Sequence, residues 1–317
     1  METIGNLWLY VAFFGIVIVM LLIDFLGFKQ KQNQDVPIKQ AAYWSIAWVT
    51  VAMLFGGGLW FYLQQTLGAT IANQKTMEYF AGYLLEKSLA IDNVFVWLMI
   101  FAAFAIPPAL QRKILLYGVL GAIVLRTIFI FIGAWFVQEF SWVLYIFGAF
   151  LVYTGFKFLK GQDEETNIED IKLLKWLRKH MRITPKLEGN KFFIRQNGVL
   201  WATPLFLVLI LVEASDVIFA VDSIPAIFAV TSDPFIVLTA NLMAILGLRA
   251  MFFLLAGAAT KMHYLPYGLG IILLFIGAKM LLLDVFHMPI WISLGFIVLV
   301  LSITAYLSIR HNKSQAQ

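Results

Sequence analysis

The sequence predicts an all-α polytopic membrane protein of about nine transmembrane helices, organised around an inverted three-helix repeat. Three observations carry this. Apolar residues make up 62% of the chain and charged residues only 13%, with a mean hydropathy of +0.86, a balance that no water-soluble domain shows. Apolar runs long enough to span a bilayer recur along the whole length. One acid-bearing stretch occurs twice.

The runs fall at 7–27, 41–63, 79–104, 113–136, 142–159, 201–231, 236–258, 265–284 and 289–309. The first has no basic region before it and no small-residue cleavage pattern, so it reads as a retained helix. Basic residues mark every second connection: Lys29, Lys31 and Lys39, then Arg112 and Lys113, the stretch from Lys160 to Arg195, Lys261, and finally Arg310 and Lys313. The alternate connections are poorer in base, with Glu139, Asp233 and Asp284, and Lys75 beside Glu78 in the second. Because cytoplasmic loops are the ones rich in Lys and Arg, the N-terminus is expected in the periplasm and the C-terminus in the cytoplasm of a bacterial inner membrane. A net charge of +5 is what such loops supply, and no nucleic-acid partner is expected.

The duplicated stretch is Glu86-Lys-Ser-Leu-Ala-Ile-Asp92-Asn93 against Asp216-Val-Ile-Phe-Ala-Val-Asp222-Ser223. The match continues with Arg126 against Arg249. Tyr145, Gly148, Gly155 and Lys157 then align with Tyr267, Gly270, Gly277 and Lys279 at one fixed offset, which points to an internal duplication. The second copy lies three spans after the first, so the two run in opposite directions through the bilayer, the plan of many secondary transporters. The expected divisions are two peripheral helices in 1–64, a first repeat in 79–160, a cytoplasmic linker in 161–200, a second repeat in 201–285 and a last helix and tail in 289–317. Within the linker, apolar residues at 171, 174, 177 and 181 among lysines and arginines predict a short amphipathic helix lying on the anionic inner leaflet.

Function is sought in the buried charges. A carboxylate near a bilayer centre costs about 2.5–3.5 kcal/mol on insertion scales, so acids there need partners or a bound cation. Glu86, Asp92, Glu213, Asp216 and Asp222 are the candidate metal ligands, with Asn93, Ser215, Ser223 and Asn241 as supporting polar groups. All offer oxygen, which suits Mn2+, Mg2+ or Ca2+ better than Cu2+ or Zn2+. Residues six apart point to different sides of a straight helix, so Pro225 is expected to break the second acidic helix beside Asp222 and free the carbonyl of Val221. Arg126 and Arg249 are expected to tie helices together through acids, and Lys157 and Lys279 to reach toward the interface. If Lys87 is buried with the two arginines, five acids exceed three bases by two charges, which one divalent cation would neutralise. His180, His263, His287 and His311 lie in or near connections and are given no ligand role. The absence of cysteine removes thiol chemistry. No enzymatic activity and no organic cofactor are expected.

The stretches Glu86 to Trp97, Gly118 to Arg126 and Val212 to Thr231 resemble the TerC family of bacterial integral membrane proteins, and in particular its Alx-type members. The family is named for tellurite resistance. The resemblance implies manganese export from the cytoplasm, within a wider LysE-related group of exporters, and implies that the acids at 86, 92, 213, 216 and 222 are the functional ones. The expected partners are a divalent metal ion as substrate and the lipid bilayer. Two other readings stay open: a non-transporting membrane protein that senses metal, loads it or acts in tellurite or redox stress, and an intramembrane enzyme using paired aspartates. The second lacks the accompanying Gly-Asp signature.

Overall fold

Inside a bilayer no water pairs with peptide groups, so each spanning segment must close its backbone hydrogen bonds within itself. The computed structural model meets that demand with helices. It describes residues 3–27, 37–140, 142–160, 172–196, 198–256, 264–282 and 290–315; the side chains of Asp92, Phe95, Lys172, Leu173, Asp222, Leu265, Ile290 and residues 312–315 fall outside that description. Also outside are Lys29, Lys31, Ile171, Lys261, His263, Asp284 and His287, together with what the sequence suggests for them.

In chain order come α1 (Leu7–Gly27), α2 (Ile38–Leu67), α3 (Ala69–Ala103), α4 (Pro108–Glu139), α5 (Val143–Leu159) and α6 (Lys172–His180). A hairpin follows, of β1 (Phe193–Gln196) and β2 (Val199–Ala202). The remainder is α7 (Pro204–Phe228), α8 (Pro234–Ile245), α9 (Leu248–Ala256), α10 (Leu265–Leu281) and α11 (Ile290–Gln315). By length and composition α1, α2, α4, α7, α11 and the pair α8–α9 can cross a membrane; α5 and α10 are shorter apolar helices. α3, 35 residues long, carries the first acidic stretch.

The packing is reciprocal. α3 lies against α8 and α4 against α7, while α3 meets α7 directly and α5 pairs with α10. On the last interface the duplicated glycines meet crosswise: a Cβ on Gly155 would stand 2.8 Å from the carbonyl oxygen of Gly270, and one on Gly277 would stand 2.8 Å from that of Gly148. Each glycine therefore faces the sequence counterpart of the other, as two inverted copies related by a two-fold axis must. Small residues are what allow two membrane helices so close an approach. α8 is central, with all twelve of its residues buried, and α1, α2 and α11 pack around the outside of this assembly.

One end of the bundle is tied by saturated hydrogen bonds. Asp233 caps α8 by accepting from Phe235 N at 3.0 Å, and accepts also from Thr3 Oγ1 at 2.8 Å and Ile4 N at 3.0 Å. Glu78 accepts from Lys75 at 2.9 Å and Thr231 at 2.6 Å. These contacts bring the N-terminus, the start of α3 and the α7–α8 connection to the same end.

Three expectations need correction. Lys75 and Glu78 are not in a connection: only Gly68, at φ 87°, separates α2 from α3, because a positive φ reverses the chain in a single residue. Pro225 does not break α7, which runs on to Phe228. Neighbouring helices enclose that end of α7, where Ser223 through Phe228 are all buried, so the missing donor is tolerated. The break comes instead between α8 and α9, at Leu246 and Gly247. There Gly247 has φ 88° and the Trp48 indole occupies the space a Cβ would need. Finally, α6 does not turn its apolar side to lipid: Leu174 and Leu177 are buried in the main core, against α7.

The hairpin within the linker is an addition. Its register sets Gln196 opposite Val199, and the Asn-Gly dipeptide that stands between them in the sequence is a strong two-residue hairpin signal.

Candidate ion-binding site

Arg126 stands at the middle of the assembly. It sits on α4 and is 1% exposed. A guanidinium keeps its charge at any physiological pH, so at this depth it must be matched by anions. Its Nε and Nη2 form a fork on Asp216 of α7, at 3.2 Å to Oδ2 and 2.9 Å to Oδ1. Its Nη1 reaches Glu86 Oε1 on α3 and the hydroxyl of Ser223 on α7, the latter at 3.3 Å. Asn93 of α3 completes the group by donating Nδ2 to Asp216 Oδ1 at 3.3 Å. Glu86, Asn93, Asp216 and Ser223 are each 1% exposed.

The composition of this cluster follows from the duplication. Glu86 and Asp216 are sequence counterparts, and so are Asn93 and Ser223. Both pairs converge on one arginine, which lies where the α3–α7 contact meets α4. Two carboxylates against one guanidinium leave one formal negative charge. Two oxygens in the cluster have no partner among the described residues: Glu86 Oε2 and Asn93 Oδ1. An unpartnered oxygen shielded from bulk water is costly unless something else supplies positive charge.

The other predicted residues lie apart. Glu213, one turn before Asp216, tucks its carboxyl into a notch of α4 at Gly121, where any Cβ would collide with it; its Oε2 is also unpartnered. Ser215 donates back to Val212 O at 2.7 Å within its own helix and does not reach the cluster. Asn241 on α8 is fully buried with both amide atoms unpartnered, outside the Arg126 network. Arg249 does not join its counterpart: it pairs with Asp24 of α1 at 2.7 Å. Lys157 and Lys279 fall in the last turns of α5 and α10, and Lys279 donates to Ser293 of α11 at 3.1 Å. Asp92 and Asp222 belong to α3 and α7, but their side chains are outside the described residues. Among the described residues no three acids or histidines gather as a metal cluster.

Two further charged residues meet partners that the sequence does not show. Asp24 looks only like a flaw in the first apolar run, yet it is the buried partner of Arg249. Lys87 donates to the carbonyl oxygen of Ala244 at 3.1 Å, beside the open C-terminal end of α8, where a cation also meets the negative end of the helix dipole. Its place one residue after Glu86 on a helix facing α8 was the available signal.

A helical membrane protein with a sealed ion-pair cluster between inverted, duplicated helices is the class these observations define. The chain belongs to the TerC family: the profile described as "Integral membrane protein TerC family" matches residues 71–316, from α3 onward. Among relatives, a protein of Escherichia coli O6:H1 named "Putative membrane-bound redox modulator Alx" is 54% identical over 321 residues, covering 100% of both chains. One of the same name from Salmonella typhi is 56% identical over 304 residues, covering 96% of this chain and 94% of its own. An uncharacterized membrane protein of Myxococcus xanthus is 45% identical, covering 94% and 91%. No solved structure matches.

Proposed function

We propose that the protein is a secondary transporter of the bacterial inner membrane that exports a divalent cation, Mn2+, from the cytoplasm, with its N-terminus periplasmic and its C-terminus cytoplasmic. The observation that carries this reading is the convergence of the duplicated acids Glu86 and Asp216 on one buried charge, with oxygens of Glu86 and Asn93 left without partners. Evenly matched structural ion pairs would leave no surplus negative charge. A hard, oxygen-preferring cation supplies both needs, and the duplicated acids Asp92 and Asp222 on the same two helices are its further ligands. In the metal-free state the surplus charge is met by a proton, which makes proton exchange the coupling: the ion enters as the proton leaves.

The test compares manganese in cells expressing the parent, Asp92→Ala, Asp222→Ala and Glu86→Gln at equal membrane levels. Lower manganese with the parent alone supports export; equal manganese in all four refutes it. In reconstituted vesicles an imposed pH gradient is expected to drive Mn2+ accumulation, and indifference to the gradient removes proton coupling. A second reading is a non-transporting protein that senses or loads metal, or acts in tellurite or redox stress; the relatives' name supports its redox part. That reading predicts Mn2+ binding with no movement across vesicles, and in a chain without cysteine it excludes action through its own thiols.

A further inference from the structure

We infer that Arg126 is a tethered counter-cation: its guanidinium occupies the cargo site when no metal is present and gives up Glu86 to the incoming ion. The inference rests on the transport reading above.

The two acids are held unequally. Asp216 has both oxygens committed, to the Arg126 fork and to Asn93. Glu86 is held by one oxygen only, and Oε2 stays bare. A forked, doubly bonded carboxylate is the anchor of a pair, and a singly held one is the side that lets go. The landing place is already marked. Glu86 Oε2 shares a carboxyl with the atom touching Arg126, and Asn93 Oδ1 shares an amide with the nitrogen touching Asp216, so each bare oxygen belongs to a side chain of the Arg126–Asp216 cluster. The Asn93 amide has no alternative orientation, since reversing it would set its oxygen against Asp216 Oδ1.

The duplication adds an independent argument. A site built by two inverted copies inherits two arginines along with its two acids. Were both inside, they would cancel the charge of Glu86 and Asp216 and leave only Asp92 and Asp222 to attract a cation. Arg249 instead makes an ion pair with Asp24, a residue of α1 that lies before both repeats. One arginine remains for two equivalent acids. That is enough to hold the empty site together, and too little to satisfy it. Ser223, whose hydroxyl meets Nη1, offers the guanidinium somewhere to stay once Glu86 is taken.

An internal competitor weakens apparent metal affinity by the fraction of molecules in which it holds the site; if that fraction leaves one molecule in ten open, its removal tightens binding about tenfold. The experiment measures Mn2+ binding by calorimetry, and Mn2+-dependent thermal stabilisation by tryptophan fluorescence, on the purified full chain as parent, Arg126→Gln and Arg126→Lys. Arg126→Gln is expected to bind Mn2+ about tenfold tighter, to gain more stability from Mn2+ than the parent does, and to move Mn2+ more slowly in vesicles because nothing displaces the bound ion. Arg126→Lys keeps the charge but not the fork, and is expected to fall between the two. An arginine that merely braces helices predicts equal or weaker binding in both variants, and that result overturns the inference. If Arg126→Gln does not fold even with Mn2+, Arg126→Lys decides alone. A parent that binds and moves Mn2+ beside variants that bind no tighter refutes this inference and leaves the transport reading standing. A parent that neither binds nor moves Mn2+ refutes both.

Discussion

Alanine placed at the four glycines of the α5–α10 interface should destabilise the protein in a symmetric order. A Cβ at Gly155 or Gly277 would lie 2.8 Å from the opposing carbonyl oxygen and against the backbone nitrogen of the facing helix at 2.9 Å, so neither obstacle is a flexible side-chain tip. At Gly148 and Gly270 the nearest carbonyl oxygens are 3.1 and 3.0 Å away, and the other neighbours are side chains. Overpacking of this kind costs about 1–3 kcal/mol. Gly155→Ala and Gly277→Ala belong at the upper end of that range, Gly148→Ala and Gly270→Ala at the lower. With a loss of about 1 kcal/mol shifting Tm by roughly 2–4 °C in a large domain, the first pair should melt about 4–10 °C below the parent in detergent, followed by tryptophan fluorescence. The control is Gly57→Ala in α2, where a Cβ meets nothing within 4 Å. There the gain in helix propensity, about 1 kcal/mol, should hold or raise Tm. Equal effects at all five positions, or a larger loss at Gly148 than at Gly155, would refute the crosswise packing and with it the two-fold relation of the repeats.

Three more outcomes follow from the geometry. Gly121→Val should push the Glu213 carboxyl out of its notch and reduce manganese export several-fold in cells, with Tm near the parent value because the displaced group is the end of a flexible chain. Lys87→Met should remove a charged donor from the Ala244 carbonyl at the α8 break and cost about 1.5–3 kcal/mol, read as a Tm loss. Asp233→Ala should lose the α8 cap, about 1 kcal/mol, and release Thr3 and Ile4. A tag on the N-terminus should then be cleaved faster by an added protease in intact membranes, and unchanged cleavage would count against this clasp.

The apolar runs were legible because burial in lipid demands long uninterrupted windows, and every spanning helix carries one. Sequence periodicity failed where two environments ask for the same pattern: an apolar stripe on α6 suits a leaflet and a protein core equally, and Leu174 and Leu177 chose the core. Charge misled at the start of α3, since Lys75 and Glu78 look like a water-exposed connection until Thr231 and Asp233, some 150 residues on, satisfy them. Pro225 drew attention as the stronger helix breaker, yet Gly247 makes the break because only there does the backbone take a positive φ with an indole filling the space beside it. The acids were visible through the cost of burying them. What could not be read was the unequal fate of the arginines, because nothing local to Arg126 or Arg249 reveals which acid each will meet.

The clasp between Thr3, Ile4 and Asp233 constrains how the protein comes into being. The carboxylate that seats Thr3 and Ile4 is synthesised some 230 residues after Thr3, so both must wait, unfastened, while span after span is threaded into the lipid. What is made early is locked late.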